Sequence, residues 1–161
     1  MKRCTSWLIL VTLWFTVSIL ITSQVSAQTK YPVVEVKHLT KADNVDLSAE
    51  YMNYSYDNLR EELAKTGLFG RVVEDGATIA DPDAANAVVL ECNIAEYKHG
   101  GLMPPYIIVD VKLSSRGDHK VIQQFNSGKL PLNNGGRVPP DEVKAKNTGR
   151  FLASVIKRNL K

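Results

Sequence analysis

Cysteine is scarce in this sequence. Only two of the 161 residues are cysteine, Cys4 and Cys92, and Cys4 lies in the N-terminal leader described below. Without that leader one thiol remains, so an intramolecular disulfide is excluded. A chain of this length does not need one, because it buries about two-thirds of its unfolded surface in its own core. The sequence therefore predicts a domain held together by packing.

Recognisable catalytic and metal-binding motifs are also missing. The three histidines, His38, His99 and His119, are not four residues apart and have no cysteine at ligand spacing, which argues against a metal site. Cys92 alternates with apolar residues in a predicted strand, which favours an inert packing residue over a nucleophile. No Gly-x-Ser-x-Gly, phosphate loop or dinucleotide-binding glycine motif is present. The sequence predicts no catalytic residue, no metal and no cofactor.

The N-terminus has the order of a signal peptide. Two basic residues precede an apolar run at Trp7–Ile21, and small residues up to Ala27 follow. Because the run is shorter than the roughly 20 residues of a spanning helix, we expect residues 1–27 to be cleaved and residues 28–161 to form a single domain. The alternative is a retained leader that tethers the domain. Cys4 precedes the apolar run, so it is not placed for lipid attachment.

The predicted cleavage has consequences for charge and fluorescence. It removes two of the 20 basic residues and none of the 17 acidic ones, so the exported domain is nearly neutral and gains no attraction for nucleic acid. We expect a periplasmic or extracellular protein that meets a membrane only if the leader is retained. Cleavage also removes Trp7 and Trp14, the only tryptophans, so the exported protein should show tyrosine but no tryptophan emission.

The rest of the chain alternates between strand and helix patterns in the order β-α-β-β-β-β-α. The strand patterns lie at Val33–Leu39, Leu68–Val73, Ala87–Tyr97, Tyr106–Ser115 and Val121–Ser127. One helix begins after the N-cap Ser48 and extends to about Thr66, and the other extends from Asp141 to about Asn159. This pattern predicts an α+β fold with a single mixed sheet of about five strands and two helices packed on one face. The first crossover should be parallel and the later strands antiparallel.

The stretch from Leu59 to Val73 is where the first helix meets its sheet. Leu59 and Leu63 share one apolar helix face, and Thr66-Gly67 supplies the helix stop. Phe69 is predicted to be buried between the helix and the sheet. In the last helix, Gly149 and Ala153 are four residues apart and predict a close approach of that helix to the sheet.

Two glycine- and proline-rich segments interrupt the regular patterns. They are Lys98–Pro105 and Leu130–Pro140, and neither has the period of a helix or a strand. The first holds two large apolar residues between two glycines and two prolines, which offers them to a partner at low ordering cost. The alternative is that the two apolar residues cap the edge of the sheet. The candidate partner-contact loop is Gly100, Gly101, Leu102, Met103, Pro104, Pro105 and Tyr106.

Several packing motifs together resemble one bacterial family. They are the leader, the junction Leu59-x-x-x-Leu63-x-x-x-Gly67-x-Phe69-x-x-Val72, the strand that leads into the first glycine segment, and the hairpin with a closing helix. Over residues 31–160 the chain resembles the domain of unknown function 4410 family of small envelope proteins. More distantly, it is similar to the N-terminal domain of the Tol translocation protein and to curli-secretion lipoproteins.

The resemblance implies a non-enzymatic accessory or protein-interaction domain of the cell envelope. The family has no accepted catalytic residues to transfer, and the implied partner is an envelope protein or another envelope component. The alternative function is a small periplasmic hydrolase or small-ligand-binding protein. A pocket in which two or more polar groups converge would favour that alternative.

Overall fold

The computed structural model describes residues 30–80, 83–98, 104–132 and 140–161. Two helices, α1 and α2, span Ala49–Ala64 and Asp141–Leu160, and a short 3-10 helix spans Asp83–Asn86. The strands β1 to β7 span Tyr31–Val36, Thr40–Lys41, Phe69–Val73, Val88–Lys98, Tyr106–Ser115, Val121–Asn126 and Leu130–Pro131.

The five longer strands form one mixed sheet in the order β3-β1-β4-β5-β6. β1 is parallel to both β3 and β4, whereas β5 is antiparallel to β4 and β6. The α+β prediction is confirmed. The expectation that all later strands are antiparallel is wrong for β4, in which Val88 pairs in parallel with Val34. The segment 74–87 carries the chain from one side of β1 to the other, and side-chain periodicity does not encode which neighbour a strand takes.

Local sequence sets both ends of α1. The Ser48 hydroxyl accepts the backbone N–H of Tyr51 at 3.1 Å and so caps the first turn, as predicted. Gly67 has φ 72°, a left-handed conformation that favours glycine, and it ends the helical stretch. The chain then enters β3 at Phe69, which is buried beside the Tyr31 ring with 5.8 Å between ring centres. The predicted helix-to-sheet junction is confirmed.

The two helices lie in unusually close contact. A methyl group added at Gly149 would meet the backbone nitrogen of Leu59 and Cβ of Asn58 at 2.7 Å. Nearby, the buried hydroxyls of Tyr51 and Thr148 lie 2.6 Å apart in a hydrogen bond between α1 and α2. The close approach predicted for Gly149 is therefore made to α1 and not to the sheet. A small residue indicates that a neighbour comes close, but not which neighbour.

The two faces of the sheet differ in what covers them. One face, which we call the helix face, packs against α1 and α2 in the main core, which includes Leu59, Leu90, Ile94, Val109, Leu113, Leu152 and Ile156. The other face, which we call the polar face, has a small apolar cluster. In it, Val33 of β1 packs with Ile79 and Ala87 from the connection between β3 and β4. The main core thus confirms that both helices pack on one face.

Three local features refine the predicted elements. β2 and β7 were not predicted as strands, because a strand of two residues has no detectable period in the sequence. In β6, Val121 pairs with Ser114 and Gln123 with Leu113, so Ile122 forms a bulge. The lack of strict alternation among Val121, Ile122 and Phe125 in the sequence predicts a bulge or an edge at this strand, and β6 is also an edge strand. In the described part of the chain, no helix has the length and apolar character that crossing a membrane requires.

Candidate functional site

The candidate loop is described only at its C-terminal end. Gly100, Gly101, Leu102 and Met103 lie outside the described residues. Pro104 is exposed, Pro105 is buried and Tyr106 is half-buried. The structure therefore shows how the C-terminal end of the loop is attached to the sheet.

Both glycine- and proline-rich segments leave the sheet at the same place. In the sheet register, Lys98 pairs with Tyr106 across the β4–β5 hairpin, and Tyr106 pairs with Pro131 in β7. These three residues therefore form one row across neighbouring strands. Residues 99–103 start from this row, and residues 133–139 start just after it. We call this part of the molecule the loop end.

The row is fixed by further contacts. The backbone N–H of Leu132, which is fully buried, donates to the Pro105 carbonyl at 3.0 Å. The Tyr106 hydroxyl donates to a Glu96 carboxylate oxygen at 3.0 Å, and the ammonium group of Lys129 lies 4.7 Å from the centre of the Tyr106 ring. The loop end is thus a rigid base for the two segments that the sequence singled out.

Among the described residues, the others that the sequence singled out do not form a reactive group, and His99 lies outside the described residues. Cys92 is 2% exposed, and burial raises the pKa of its thiol to about 12, so it is a packing residue and not a nucleophile. His38 stacks on Tyr56 with 4.2 Å between ring centres, and His119 is an exposed turn residue. Within the described ranges, no three His, Cys, Asp or Glu side chains lie close enough together to hold a metal ion.

A buried carboxylate on the polar face was not anticipated from the sequence. Glu35 is only 3% exposed, although the charges interleaved with β-branched residues in this strand predict one packed face and one partly solvated face. It accepts hydrogen bonds from Lys37 Nζ at 2.7 Å, Arg116 Nε at 2.8 Å and the Gly76 backbone N–H at 3.0 Å. Glu35 therefore ties together the end of β1, the turn after β3 and the end of β5.

The hydrogen bonds of this cluster outweigh the effect of burial. Burial by itself would raise the pKa of Glu35, but the donors Lys37, Gly76 and Arg116 stabilise the anion and hold its pKa below the usual value. Lys37 also bonds to Asp75 at 2.7 Å, and these hydrogen bonds raise the pKa of Lys37 and lower that of Asp75. The cluster is ionised and internally neutralised near neutral pH.

Two adjoining grooves run along the polar face beside Glu35. The larger has a volume of about 670 Å³, and the smaller about 300 Å³. Lys37, Glu91 and Lys112 line both grooves, and Lys112 Nζ lies 2.7 Å from a Glu91 carboxylate oxygen. The larger groove is also lined by Ser114, Arg116 and His119. Polar groups therefore converge on this face, but Lys37, Lys112 and Arg116 are each paired with a carboxylate, so an anionic ligand would compete with Glu35 and Glu91 for these cations.

A lone Glu in a run of β-branched residues was the only sequence signal for this site. The run Val33-Val34-Glu35-Val36 has one charge among apolar neighbours. Such a residue needs a partner if it is buried, but its partners Arg116 and Gly76 are distant in sequence. Their identity depends on the strand order, so it could not be obtained from the sequence.

Comparison with known proteins gives a fold but no family. No family model matches the chain, and neither does any curated protein. Solved structures do match. A PelC variant dodecamer from Paraburkholderia phytofirmans has a TM-score of 0.54 at 16% identity, covering 80% of this chain and 88% of that one.

Two further structures share the fold. An uncharacterized protein gives a TM-score of 0.54 at 13% identity, with 81% of this chain and 92% of that chain covered. A hypothetical protein from Chlamydia trachomatis gives 0.50 at 13% identity, with 81% and 98% covered. At these identities the likeness is one of fold alone. The arrangement of helices and sheet is thus one that bacterial proteins also use.

Proposed function

We propose that the chain is an exported, non-catalytic domain of the cell envelope, an accessory or interaction module that binds an envelope protein through its loop end. The observation that carries this proposal is the row Lys98-Tyr106-Pro131, which brings both irregular segments to one place on a rigid base. Two adjacent segments give a wider contact area than one loop, and the fixed base lowers the ordering cost of binding. The sequence resemblance to the domain of unknown function 4410 family implies the same role, although no family model matches the chain.

The point at which the leader joins the domain is compatible with this role. Lys30, the first described residue, donates a hydrogen bond from its ammonium group to the Leu160 carbonyl at the end of α2. Because β1 and β4 are parallel, Lys30 lies near the beginning of β4 and the loop end lies at its far end. At about 3.3 Å per residue, the length of β4 alone separates them by roughly 30 Å. The point at which the leader joins the domain is therefore far from the loop end.

The direct test replaces the two large apolar residues of the loop. The variant Leu102→Ser/Met103→Ser should lose its crosslinks to envelope proteins in a pull-down from the native envelope, while its melting temperature stays nearly unchanged. The matched control is Tyr54→Ser/Val143→Ser, which changes two helix residues with exposures of 38% and 45% and should keep the crosslinks. A fall of several degrees in melting temperature would mean that the loop residues cap the core instead.

The second candidate function is binding of a small anionic ligand, and the grooves on the polar face favour it. Lys37, Lys112 and Arg116 lie along the larger groove together with their carboxylate partners Glu35 and Glu91, so an anionic ligand would bind there by displacing a carboxylate. Thermal shift with inorganic phosphate and with small carboxylates tests this function. Saturable stabilisation that Lys112→Gln abolishes would support it, and no shift at millimolar concentrations would reject it. The hydrolase alternative gains no support from Cys92, since its thiol is buried.

A further inference from the structure

The outer edge of β6 has the composition of a strand that pairs with another strand. β6 is the last strand on its side of the sheet, and its sequence Val-Ile-Gln-Gln-Phe-Asn contains no charge, no proline and no glycine. Val121 and Ile122 are each 46% exposed. Exposed edges normally carry lysine, proline or an inward-pointing charge, because an uncharged edge of high β propensity pairs with other chains.

The hydrogen-bonding groups of this edge point outward at known positions. Ser127, which directly follows β6, donates its backbone N–H to the Val109 carbonyl of β5 at 2.8 Å. Backbone groups alternate in direction along an antiparallel strand, so Asn126 and Gln124 direct theirs away from β5. The bulge at Ile122 limits the regular edge to Gln123–Asn126. A pairing strand would therefore centre on Gln124.

We propose that a second copy of this chain occupies this edge, with the two β6 strands antiparallel and a twofold axis perpendicular to the sheet at Gln124. Each Gln124 then donates its backbone N–H to the carbonyl of the other, and the two sheets become one. This inference does not depend on the proposed function.

The charges around β6 favour the β6 strand of a second copy over any other strand as its partner. The strand has no charge of its own, so self-pairing places no like charges opposite each other, and the two Gln124 side chains meet as neutral amides. In this register the exposed Asp118, in the turn before β6 of one copy, approaches the exposed Lys129 after β6 of the other. This contact occurs twice by symmetry. By contrast, the other edge strand, β3, carries Arg71, which would be repelled in a symmetric pair.

The proposed dimer has a definite shape. The axis is perpendicular to the sheet, so the helices of both copies lie on the same side and their polar faces form one surface. The axis also reverses strand direction, so the two loop ends point to opposite poles. Such a dimer would present one loop end at each pole.

A symmetric disulfide tests the register. Directly opposite residues in a hydrogen-bonded antiparallel pair have Cα atoms about 5.5 Å apart, which a disulfide spans. Gln124→Cys, purified after export and mildly oxidised, should run as a reducible dimer on a non-reducing gel. Val143→Cys, at an exposed site on α2, and the wild-type protein should remain monomeric on that gel. Equal crosslinking of Gln124→Cys and Val143→Cys, or none at either site, would overturn the proposal.

Sedimentation measures the same association without a crosslink. The wild-type protein should sediment as a concentration-dependent dimer, and Gln124→Lys should weaken self-association at least about tenfold, because two ammonium groups would face each other at the axis. Val143→Lys, with 45% exposure at the wild-type residue, is the matched control and should leave association unchanged. If the wild-type protein were still monomeric at about 100 µM, a concentration at which even a weak dimer forms, the proposal would be overturned. An unaffected Gln124→Lys dimer would also overturn it.

Discussion

The two faces of the sheet are stabilised by different interactions. On the helix face, alternate residues of β4 and β5 meet α1 and α2 in a continuous apolar core that includes Leu90, Val109 and Leu152. On the polar face, the buried side chain at the centre is Glu35, which is held by Lys37 and Arg116. The helix face uses burial, which requires only that side chains be apolar and fit. The polar face uses hydrogen bonds between specific partners.

Because of this difference, the helix face mainly determines stability, whereas the polar face mainly determines what the surface can bind. Apolar residues on the helix face can be exchanged for others of similar volume without changing the fold. The polar face exposes charged side chains such as Glu91 and Lys112 along its grooves, where a change alters what the surface can bind. Substitutions on the helix face should therefore lower the free energy of unfolding most, and those on the polar face should lower it less.

The largest effect should come from Phe69→Ala on the helix face. Phe69 is 3% exposed, and truncating a buried ring leaves a cavity, so we expect the free energy of unfolding to fall by about 3–5 kcal/mol in urea denaturation. Phe125→Ala is the control, because Phe125 is only partly buried on the edge strand, and it should lose less. A loss below about 1 kcal/mol for Phe69→Ala would mean that the ring does not join α1 to the sheet.

On the polar face, Glu35→Gln should have the next largest effect. The substitution keeps the shape of the side chain but removes the charge that Lys37 and Arg116 contact, and it should cost about 1–3 kcal/mol at pH 7. The cost should lie in the lower half of that range, because both cationic side chains are about one-third exposed and water replaces part of the interaction. A neutral or stabilising result would show that Glu35 does not hold the polar face together.

The same cluster predicts how stability depends on pH. The pKa of Glu35 lies below its usual value, so its contribution is complete above the unfolded pKa of about 4.3 and is lost as the pH falls through the lower, folded pKa. The difference in unfolding free energy between wild type and Glu35→Gln should therefore be constant near neutral pH and shrink below about pH 4. Urea denaturation at a series of pH values measures it. A difference that grows toward acid pH would contradict the assigned direction.

The contact between the helices can be broken by adding one methyl group. Gly149→Ala places Cβ 2.7 Å from the Leu59 nitrogen, and backbone cannot move aside cheaply, so we expect a loss of about 1–2 kcal/mol after the gain in helix propensity. Gly117→Ala is the matched control, because no atom lies within 4 Å of its added Cβ, and it should change stability by less than about 0.5 kcal/mol. Equal effects in thermal melts would mean that the helices can separate freely.

The smallest effect is expected for Glu91→Gln on the polar face. Its partner Lys112 is at 2.7 Å, but the two side chains are 46% and 42% exposed. Exposed pairs contribute about 0–1 kcal/mol and are screened by salt, so the loss should fall below about 1 kcal/mol and vanish at high ionic strength. A loss as large as that of Glu35→Gln would remove the distinction between buried and exposed charges on this face.

The sequence predicted the helix face well and the polar face poorly, for a physical reason. Periodicity reports which side of an element is apolar, and this located Phe69, Leu59, Cys92 and the bulge in β6 correctly. The sequence pattern around Glu35 is the same whether its side chain is exposed to solvent or buried. Only the strand order brings Arg116 to it, and that order follows from tertiary packing.

The loop end shows the same limit. The composition of residues 98–105 and 130–140 predicted two irregular segments. Among their described residues, Lys98 in β4 and Leu130–Pro131 in β7 depart from that prediction. The meeting of the two segments at the row Lys98-Tyr106-Pro131 depends on a two-residue strand that has no sequence signature. The sequence therefore proposed candidate residues, whereas the structure shows where the two segments attach to the sheet.

Site-specific photo-crosslinking tests the central proposal most directly. A photo-reactive residue is placed at Pro104, which is exposed at the loop end, and in a second variant at Ser154, which is exposed on α2. Both variants are irradiated in the native cell envelope. We predict crosslinks from position 104 to an envelope component other than this chain, and no such crosslinks from position 154. Crosslinks of equal yield from both positions, or from position 154 alone, would contradict the assignment of the loop end as the binding surface.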